Sequence, residues 1–251
     1  MGSYNSARHK ALSIIVPLFN EEENVVPLIE SIFRELSADP DFLELILIDD
    51  GSQDRTVSLV LGLAAREPRV RLIKHERNRG LGASIRTGLA AAEGDVILYT
   101  DADLPFDFAL IPKLLETATD NSIVIGCRVN RGEGLRRWVL TKSYNLICRF
   151  AWGLRVQDIN FACKLVPRHA LHGMRLGSEG SFIDAELLLE CRRQGFDIRE
   201  FPLTYYPRTR GLSTLSRPRV VAGILSEMLK YALRRPETLY ELIEEADHKR
   251  G

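Results

Sequence analysis

Short apolar runs alternate with longer amphipathic segments through the first half of the chain, and this alternation constrains the fold more than any other feature. Four runs rich in leucine and β-branched residues have the length of buried strands. They occupy residues 12–16, 43–48, 70–73 and 95–100. Segments of helical period lie between them, at residues 24–36, 56–66 and 84–92. Because helices of this length can cross back over a sheet, the order predicts βαβ units and a doubly wound, mostly parallel α/β sheet.

The second half of the chain is less regular. Strand-like patterns occur in it at residues 122–127, 161–166 and 197–202, and helical patterns at residues 137–152 and 182–194. After them, residues 217–246 contain two helical stretches that Pro236 separates. We interpret the whole as a flexible tail over residues 1–10, one catalytic-sized domain over residues 11–215 and a C-terminal amphipathic helical extension over residues 216–251.

Composition excludes several classes of protein. A chain of 251 residues with 45% hydrophobic and 27% charged residues can bury a full core and is not disordered. Its 34 basic and 34 acidic residues cancel, so no overall charge attracts it to nucleic acid. The four cysteines form no C-x-x-C pair. This spacing predicts reduced, buried thiols rather than a disulfide framework or a zinc site.

The apolar stretches are too short for a membrane span. The first ten residues are polar and have no apolar core of the kind found in signal peptides. No later run approaches the roughly 18–20 residues that cross a bilayer. We therefore expect a cytoplasmic protein whose contact with a membrane, if it has one, is peripheral at the cytosolic face.

Polar clusters follow three of the predicted strands. Residues 17–23 come after the first strand, residues 49–52 after the second and residues 101–103 after the fourth. Ligands of an open parallel sheet bind at the carboxyl ends of its strands, where helix N-termini also converge. The three clusters are therefore expected on one rim of the sheet.

Asp101 and Asp103 have the chemistry of a metal site. Two carboxylates separated by one residue can hold Mg²⁺ or Mn²⁺ against the diphosphate of a nucleotide-sugar, since these ions prefer oxygen ligands. A D-x-D pair also occurs in ordinary solvated loops, so the pair alone does not establish a metal site. Residues 49–52 likewise suit either a tight turn or a group that accepts hydrogen bonds from a base or ribose.

Four segments in order and spacing resemble the family 2 glycosyltransferases of the GT-A fold. They are residues 16–21 (VPLFNE), 48–54 (IDDGSQD), 78–83 (NRGLGA) and 100–104 (TDADL). Within that family the chain is most similar to the dolichyl- and polyprenyl-phosphate mannose and glucose synthases. The similarity covers about residues 11–215, which we therefore assign as the GT-A domain. It implies an inverting hexosyltransferase that uses GDP-mannose or a UDP-sugar.

The resemblance also implies roles for individual residues. The implied donor-binding residues are Pro17, Phe19, Glu21, Ile48, Asp50, Asp101, Ala102 and Asp103, of which Asp101 and Asp103 also ligate the metal. The implied acceptor or phosphate ligands are Arg128, Lys164, Arg208 and Ser213. Arg128 and Arg208 would also assist catalysis by stabilising phosphate charge. Solvated surface arginines are the alternative interpretation of these two residues.

Two positions depart from the family pattern. Residues 208–213 match the R-x-x-G-x-S segment of the polyprenyl-phosphate enzymes. These enzymes usually have lysine directly after its serine, where this chain has Thr214. They also commonly have a polar residue two positions after the second metal aspartate, where this chain has Pro105. Pro105 has no side-chain ligand for a metal. Because Thr214 replaces the usual lysine, this segment does not determine whether the acceptor is a lipid phosphate.

Asp184 bears on the choice of acceptor. In many relatives an acidic residue at this position is the general base, which a hydroxyl acceptor needs and an anionic phosphate does not. Acids that merely stabilise the start of a helix are the alternative interpretation.

The second half of the chain is rich in basic residues, and residues 220–232 form an apolar stripe at helical spacing. This combination suits an anionic membrane surface. Packing of the stripe on the domain or on a second copy of the chain is the alternative interpretation.

Three hypotheses follow. The first is sugar transfer from a nucleotide-diphosphate donor to a polyprenyl or dolichyl phosphate. The second keeps the donor but has a soluble, small-molecule hydroxyl acceptor, with Asp184 as the base. The third is an inactive nucleotide-binding or scaffold protein. The donor base, the sugar and the oligomeric state are not determined by these patterns.

Overall fold

The computed structural model describes residues 10–129, 135–206 and 218–233. Seven strands of this part form one sheet, in the order β3-β2-β1-β4-β6-β5-β7. The strands are β1 (Leu12–Leu18), β2 (Phe42–Asp49), β3 (Val70–Lys74), β4 (Val96–Thr100), β5 (Ser122–Arg128), β6 (Cys163–Pro167) and β7 (Asp197–Leu203). β6 runs antiparallel to both of its neighbours, and the other pairings are parallel. The mostly parallel α/β fold is thus confirmed.

Helices cover both faces of the sheet. They are α1 (Val25–Leu36), α2 (Thr56–Ala64), α3 (Leu81–Ala91), α4 (Ile111–Thr117), α5 (Leu135–Trp152), α6 (Ile183–Arg193) and α7 (Pro218–Leu233). On β1, Ile14 and Val16 pack with α1, whereas Ile15 packs with α3. Successive side chains of a strand point to opposite faces. Because both faces are covered, β1, β2 and β4 are almost continuously apolar.

The predicted elements of the first half are all present, with ends that differ by a few residues. The largest difference is at α3, which begins at Leu81 rather than Ser84. The strand predicted at residues 161–166 is β6, shifted to Cys163–Pro167. Its antiparallel direction was not part of the prediction, because a local apolar pattern contains no information on strand direction.

The C-terminal helix α7 packs on the domain rather than standing apart from it. Met228 lies in the same buried cluster as residues of α6, and Ile224 and Tyr231 pack against that cluster. The Tyr231 ring makes an edge contact with Trp152 of α5, at 5.7 Å between centroids. The second helical stretch predicted after Pro236 lies outside the described residues. None of the helices in the described ranges has the length and apolar character needed to span a bilayer.

The four cysteines are free and buried, as predicted. Burial raises the pKa of the Cys148 thiol to about 11 and that of the Cys163 thiol to about 12. Because the thiolate is the reactive form, these side chains act as small apolar groups of the core.

Candidate active site

The turns after β1 and β2 are tied together at the carboxyl edge of the sheet. Asn20 has a left-handed backbone (φ 55°), a conformation that asparagine tolerates better than most residues. Its N–H donates to Ser52 Oγ at 2.9 Å, and its side-chain oxygen accepts from the Gln53 N–H at 2.8 Å. The polar clusters that follow the first two strands therefore form one connected surface.

Asp50 organises the turn that leads into α3. Its carboxylate accepts hydrogen bonds from the N–H groups of Arg79 and Gly80, at 2.9 and 2.8 Å. The same carboxylate lies 2.7 Å from His75 Nδ1, and His75 Nε2 lies 3.0 Å from Thr87 Oγ1. Asp50, one of the predicted donor-binding residues, thus fixes the neighbouring loop as well as lining the cavity at this edge.

Gly80 and Gly82 are required by a close approach of two backbones. Gly80 has φ 94°, which favours glycine. A Cβ atom at Gly82 would lie 2.0 Å from the carbonyl oxygen of Ser178, and one at Gly80 would lie 2.3 Å from that of Glu179. The Gly82 N–H donates to the Glu179 carbonyl at 2.7 Å. The start of α3 is therefore packed directly on the loop that precedes α6.

The D-x-D turn follows β4 on the same edge. The Tyr99 hydroxyl donates to Asp101 Oδ1 at 3.3 Å. Burial, and next the charge of Asp101, raises the pKa of Tyr99 well above its ordinary value. Leu104 has φ 52°, a conformation that costs a residue with a Cβ atom about 1–2 kcal/mol. Such strained residues concentrate at functional sites, where the surrounding structure enforces them.

A cavity of about 590 Å³ joins these turns. Its wall includes most of the predicted donor-binding residues, namely Pro17, Phe19, Glu21, Asp50, Asp101, Ala102 and Asp103. In the described part of the chain the wall has five acidic side chains, the fifth being Glu227, and one basic side chain, Arg128. This described part of the wall is therefore acidic, although the predicted ligand carries a diphosphate.

Asp101 and Asp103 are the residues of this wall that suit a divalent metal. Their carboxylates are hard oxygen donors on one turn, and Pro105 beside them also lines the cavity. The described ranges contain no group of three or more His, Cys, Asp or Glu side chains placed to hold a metal ion. A metal held by these two aspartates would need its remaining ligands from water or from a bound phosphate.

Arg128 lies at the end of β5 and faces the cavity. Its guanidinium makes a two-pronged ion pair with Asp158, at 2.5 and 2.8 Å. The rings of Tyr205 and Phe161 lie 5.1 and 5.5 Å from its central carbon. Arg128 is only 8% exposed, so its position is fixed by these contacts. A preorganised guanidinium is well suited to bind phosphate oxygens.

Lys164 and Asp184 form a buried ion pair instead of lining the cavity. Lys164 Nζ lies 2.5 Å from Asp184 Oδ1, and the two residues are 0% and 4% exposed. Burial raises the pKa of the Asp184 carboxyl above its ordinary value, although the Lys164 ammonium acts in the opposite direction. Neither residue is part of the cavity wall. The structure therefore does not bring the predicted base or the predicted Lys164 phosphate ligand to the cavity surface.

Ile48, another predicted donor-binding residue, also lies away from the cavity wall. It is fully buried in the core, and a Cβ atom at Gly88 of α3 would lie 2.8 Å from its Cδ1. Because side chains alternate along β2, Ile48 points to the α3 face of the sheet. Arg208, Ser213 and Thr214 lie outside the described residues.

Part of the cavity wall was not predicted from the sequence. It includes Asn78, Asn160, Tyr205, and Val220, Gly223, Ile224 and Glu227 of α7. Oδ1 of Asn160 is buried and has no hydrogen-bond partner in the described part of the chain. The apolar stripe of α7 indicates packing on something, but the pattern does not distinguish the rim of the cavity from other surfaces.

Comparison with known proteins assigns the family. Residues 13–178 match the family model described as glycosyl transferase family 2. The chain belongs to this family. It is 34% identical to an undecaprenyl-phosphate 4-deoxy-4-formamido-L-arabinose transferase of Pectobacterium atrosepticum, over 69% of this chain and 54% of the relative. It is 30% identical to a dodecaprenyl-phosphate galacturonate synthase of Rhizobium johnstonii, over 93% of this chain and 71% of the relative.

A third relative is the dolichol-phosphate mannosyltransferase of Saccharomyces cerevisiae. It is 30% identical, over 81% of this chain and 80% of that protein. The chain spans about half the length of the Pectobacterium relatives. The recognised resemblance to polyprenyl-phosphate sugar transferases is thereby confirmed at the level of the family.

A solved structure confirms the GT-A fold. The glucosyl-3-phosphoglycerate synthase of Mycobacterium tuberculosis, crystallised with Mn²⁺, UDP and glucosyl-3-phosphoglycerate, superposes with a TM-score of 0.67. The superposition covers 86% of this chain and 79% of the synthase, at 24% identity. At this identity the similarity establishes the fold and no more.

The close approach at Gly82 leads to a prediction about stability. Gly82→Ala should lower the free energy of unfolding by about 1–3 kcal/mol, because the new methyl group meets backbone that cannot rotate away. Urea denaturation measures the change. Gly62→Ala is the matched control, since Gly62 lies in α2 and a Cβ atom there meets nothing within 4 Å. The control should be stabilised by roughly 0.5–1 kcal/mol. Equal effects at the two positions would contradict the contact described for Gly82.

Proposed function

We propose that this chain is an inverting, metal-dependent hexosyltransferase that moves a sugar from a nucleotide-diphosphate donor to a polyprenyl phosphate. GDP-mannose and UDP-sugars are the candidate donors. The observation that carries the proposal is the acidic cavity at the carboxyl edge of the sheet, where the turns of β1, β2 and β4 meet. The names of the polyprenyl-phosphate relatives support the choice of acceptor.

The charge of the cavity wall supports a metal-dependent donor. Four carboxylates line it on the turns after β1, β2 and β4, those of Glu21, Asp50, Asp101 and Asp103, and two phosphates entering that field would be repelled. Asp101 and Asp103 would hold Mg²⁺ or Mn²⁺, which neutralises the diphosphate and makes it a better leaving group. The Mn²⁺ and UDP in the complex of the Mycobacterium synthase agree with this interpretation.

The remaining donor contacts come from the neighbouring turns. Pro17, Phe19 and Glu21 would line the nucleoside pocket with Asp50, which already holds the 79–80 turn in place. In the proposed reaction an oxygen of the acceptor phosphate attacks the anomeric carbon. The bond from that carbon to the diphosphate oxygen breaks, and the configuration inverts. The nucleoside diphosphate leaves with the electron pair.

The surroundings of Asp184 favour a phosphate acceptor over a hydroxyl acceptor. A hydroxyl must lose a proton to a base within hydrogen-bond reach, but the Asp184 carboxylate is engaged with Lys164 below the cavity surface. A phosphate is already an anion and needs no such base. Arg128, held by Asp158 and two rings, is the described side chain best placed to bind phosphate oxygens. Arg208 and Ser213 remain proposed partners.

Peripheral contact with a membrane fits two exposed apolar surfaces. On α5 these residues are Val139, Leu146, Ile147 and Phe150, and on α7 they are Leu225, Leu229 and Leu233. Phe150 is 80% exposed and Leu233 is 74% exposed. Lys142, Arg149 and Lys230 are exposed on the same helices. This combination suits an anionic bilayer surface, from which a lipid-linked acceptor would enter.

Transfer to a lipid tests the proposed function. The protein is incubated with radiolabelled GDP-mannose or UDP-sugars, Mn²⁺ and polyprenyl phosphate, and the lipid extract is counted. We expect labelled lipid with at least one donor and none after chelation of the metal. The absence of label with every common donor would refute the proposal.

Asp184→Asn distinguishes the two kinds of acceptor when transfer is measured with polyprenyl phosphate and, separately, with a small hydroxyl compound as the acceptor. If the acceptor is a phosphate, the variant should retain measurable transfer, because no proton has to be removed. If the acceptor is a hydroxyl, loss of a general base should lower the rate by about 10²–10⁴-fold. Thermal denaturation of the variant checks that replacing one partner of the buried ion pair has not unfolded the protein.

Vesicle flotation tests the membrane contact. Vesicles with phosphatidylglycerol should carry the protein upward in a density gradient, and Phe150→Ser combined with Leu229→Ser should weaken binding by at least roughly tenfold. Leu61→Ser is the matched control, since Leu61 is 54% exposed on α2. Binding that both sets of variants weaken equally would contradict the assignment of the surface to α5 and α7.

A further inference from the structure

Glu227 of α7 binds the loop at the start of α6. Its Oε1 accepts hydrogen bonds from the N–H groups of Glu179 and Gly180, at 3.0 and 2.5 Å. Its Oε2 accepts one from the N–H of Phe182, at 3.3 Å. A Cβ atom at Gly180 would lie 3.1 Å from the same carboxylate, so glycine permits this close approach. One side chain thus bonds three backbone donors that lie 45–48 residues away in the sequence.

Among the described residues, these three N–H groups donate to Glu227 and to no other acceptor. The two N–H groups just before them, of Gly177 and Ser178, donate to the carboxylate of Glu186 in α6. Phe182 is the N-cap residue of α6, where backbone N–H groups have no partner inside the helix and a negative charge is favoured. Loss of the Glu227 carboxylate therefore leaves these three amides without an acceptor in the part of the chain that the structure describes.

The contact lies at the cavity. Gly180, Ser181 and Glu227 line it, together with Val220, Gly223 and Ile224 of α7. On its other side, the same loop packs against the start of α3 through Gly82 and Glu179. The loop thus connects α7 to the start of α3, where Gly80 and Leu81 also line the cavity, so fixing α7 to the loop sets the position of one part of the wall relative to another.

We propose that Glu227 is a positioning residue that fixes α7 as the acceptor-side wall of the cavity. The identity of that half as the acceptor side rests on the proposed function, since the turns of β1, β2 and β4 take the donor. The apolar residues Val220 and Ile224 would then contact the lipid-proximal part of the acceptor. Glu227 acts through the helix that it holds and takes no part in bond making.

Amide hydrogen exchange tests the contact without reference to activity. In Glu227→Ala the amides of Glu179, Gly180 and Phe182 should exchange roughly 10- to 100-fold faster, as expected for loss of hydrogen bonds to a charged group. Glu227→Gln retains a side-chain oxygen and should have an intermediate effect. Glu179→Gln is the matched control, because it removes a carboxylate from the same loop but keeps the backbone N–H groups and Glu227. Unchanged exchange in Glu227→Ala overturns the proposal.

Kinetics test the positioning role. We expect Glu227→Ala to raise the KM for polyprenyl phosphate at least fivefold, with the affinity for the nucleoside diphosphate unchanged and partial recovery in Glu227→Gln. Faster exchange with an unaltered acceptor KM, or an equal loss of donor affinity, would overturn the assignment of α7 to the acceptor side. If wild type transfers sugar to no lipid phosphate, the proposed function fails, while the exchange experiment still decides whether Glu227 holds α7.

Discussion

The parallel pairing of β2, β1 and β4 is the constraint on which the site depends. Because neighbouring parallel strands end at the same edge, the turns after them converge however far apart they lie in the sequence. The turns of β1 and β2 are then joined through Asn20 and Ser52. Asp50 extends this connection to the start of α3. The carboxylates of the cavity therefore lie on turns that strand pairing and hydrogen bonds bring together.

Much of this arrangement is predictable from the sequence because it depends on local pattern. The runs of β1, β2 and β4 are apolar on both faces, which is typical of a covered parallel sheet. The acidic turns follow directly at their ends, so strand boundaries accurate to a few residues already place Glu21, Asp50, Asp101 and Asp103 on one rim. The family resemblance rests on these same turns, and the match over residues 13–178 agrees with it.

Other features depend on contacts that no local pattern contains. The antiparallel direction of β6 brings Lys164 beside Tyr99 of β4, and Asp184 of α6 then meets Lys164 inside the protein. An acidic residue at the start of a helix, such as Asp184, has the same sequence pattern whether its side chain faces solvent, a substrate or another charged residue. Glu227 is similar, since a single glutamate on an amphipathic helix does not indicate the three amides that it binds. From the sequence, Gly80 and Gly82 indicate a flexible backbone at the entry to α3. In the structure they permit the close packing of two backbone segments.

The central claim is that Asp101 and Asp103 bind a nucleoside diphosphate through a divalent metal in the cavity at this edge. Calorimetric titration of UDP and GDP with Mn²⁺ tests it most directly, using wild type, the Asp101→Asn and Asp103→Asn double variant and Asp197→Asn as an exposed control. We expect at least one nucleotide to bind wild type and the control, and binding to weaken at least tenfold without Mn²⁺ or in the double variant. Equal binding with and without the metal and the two aspartates, or no binding of either nucleotide, would contradict it.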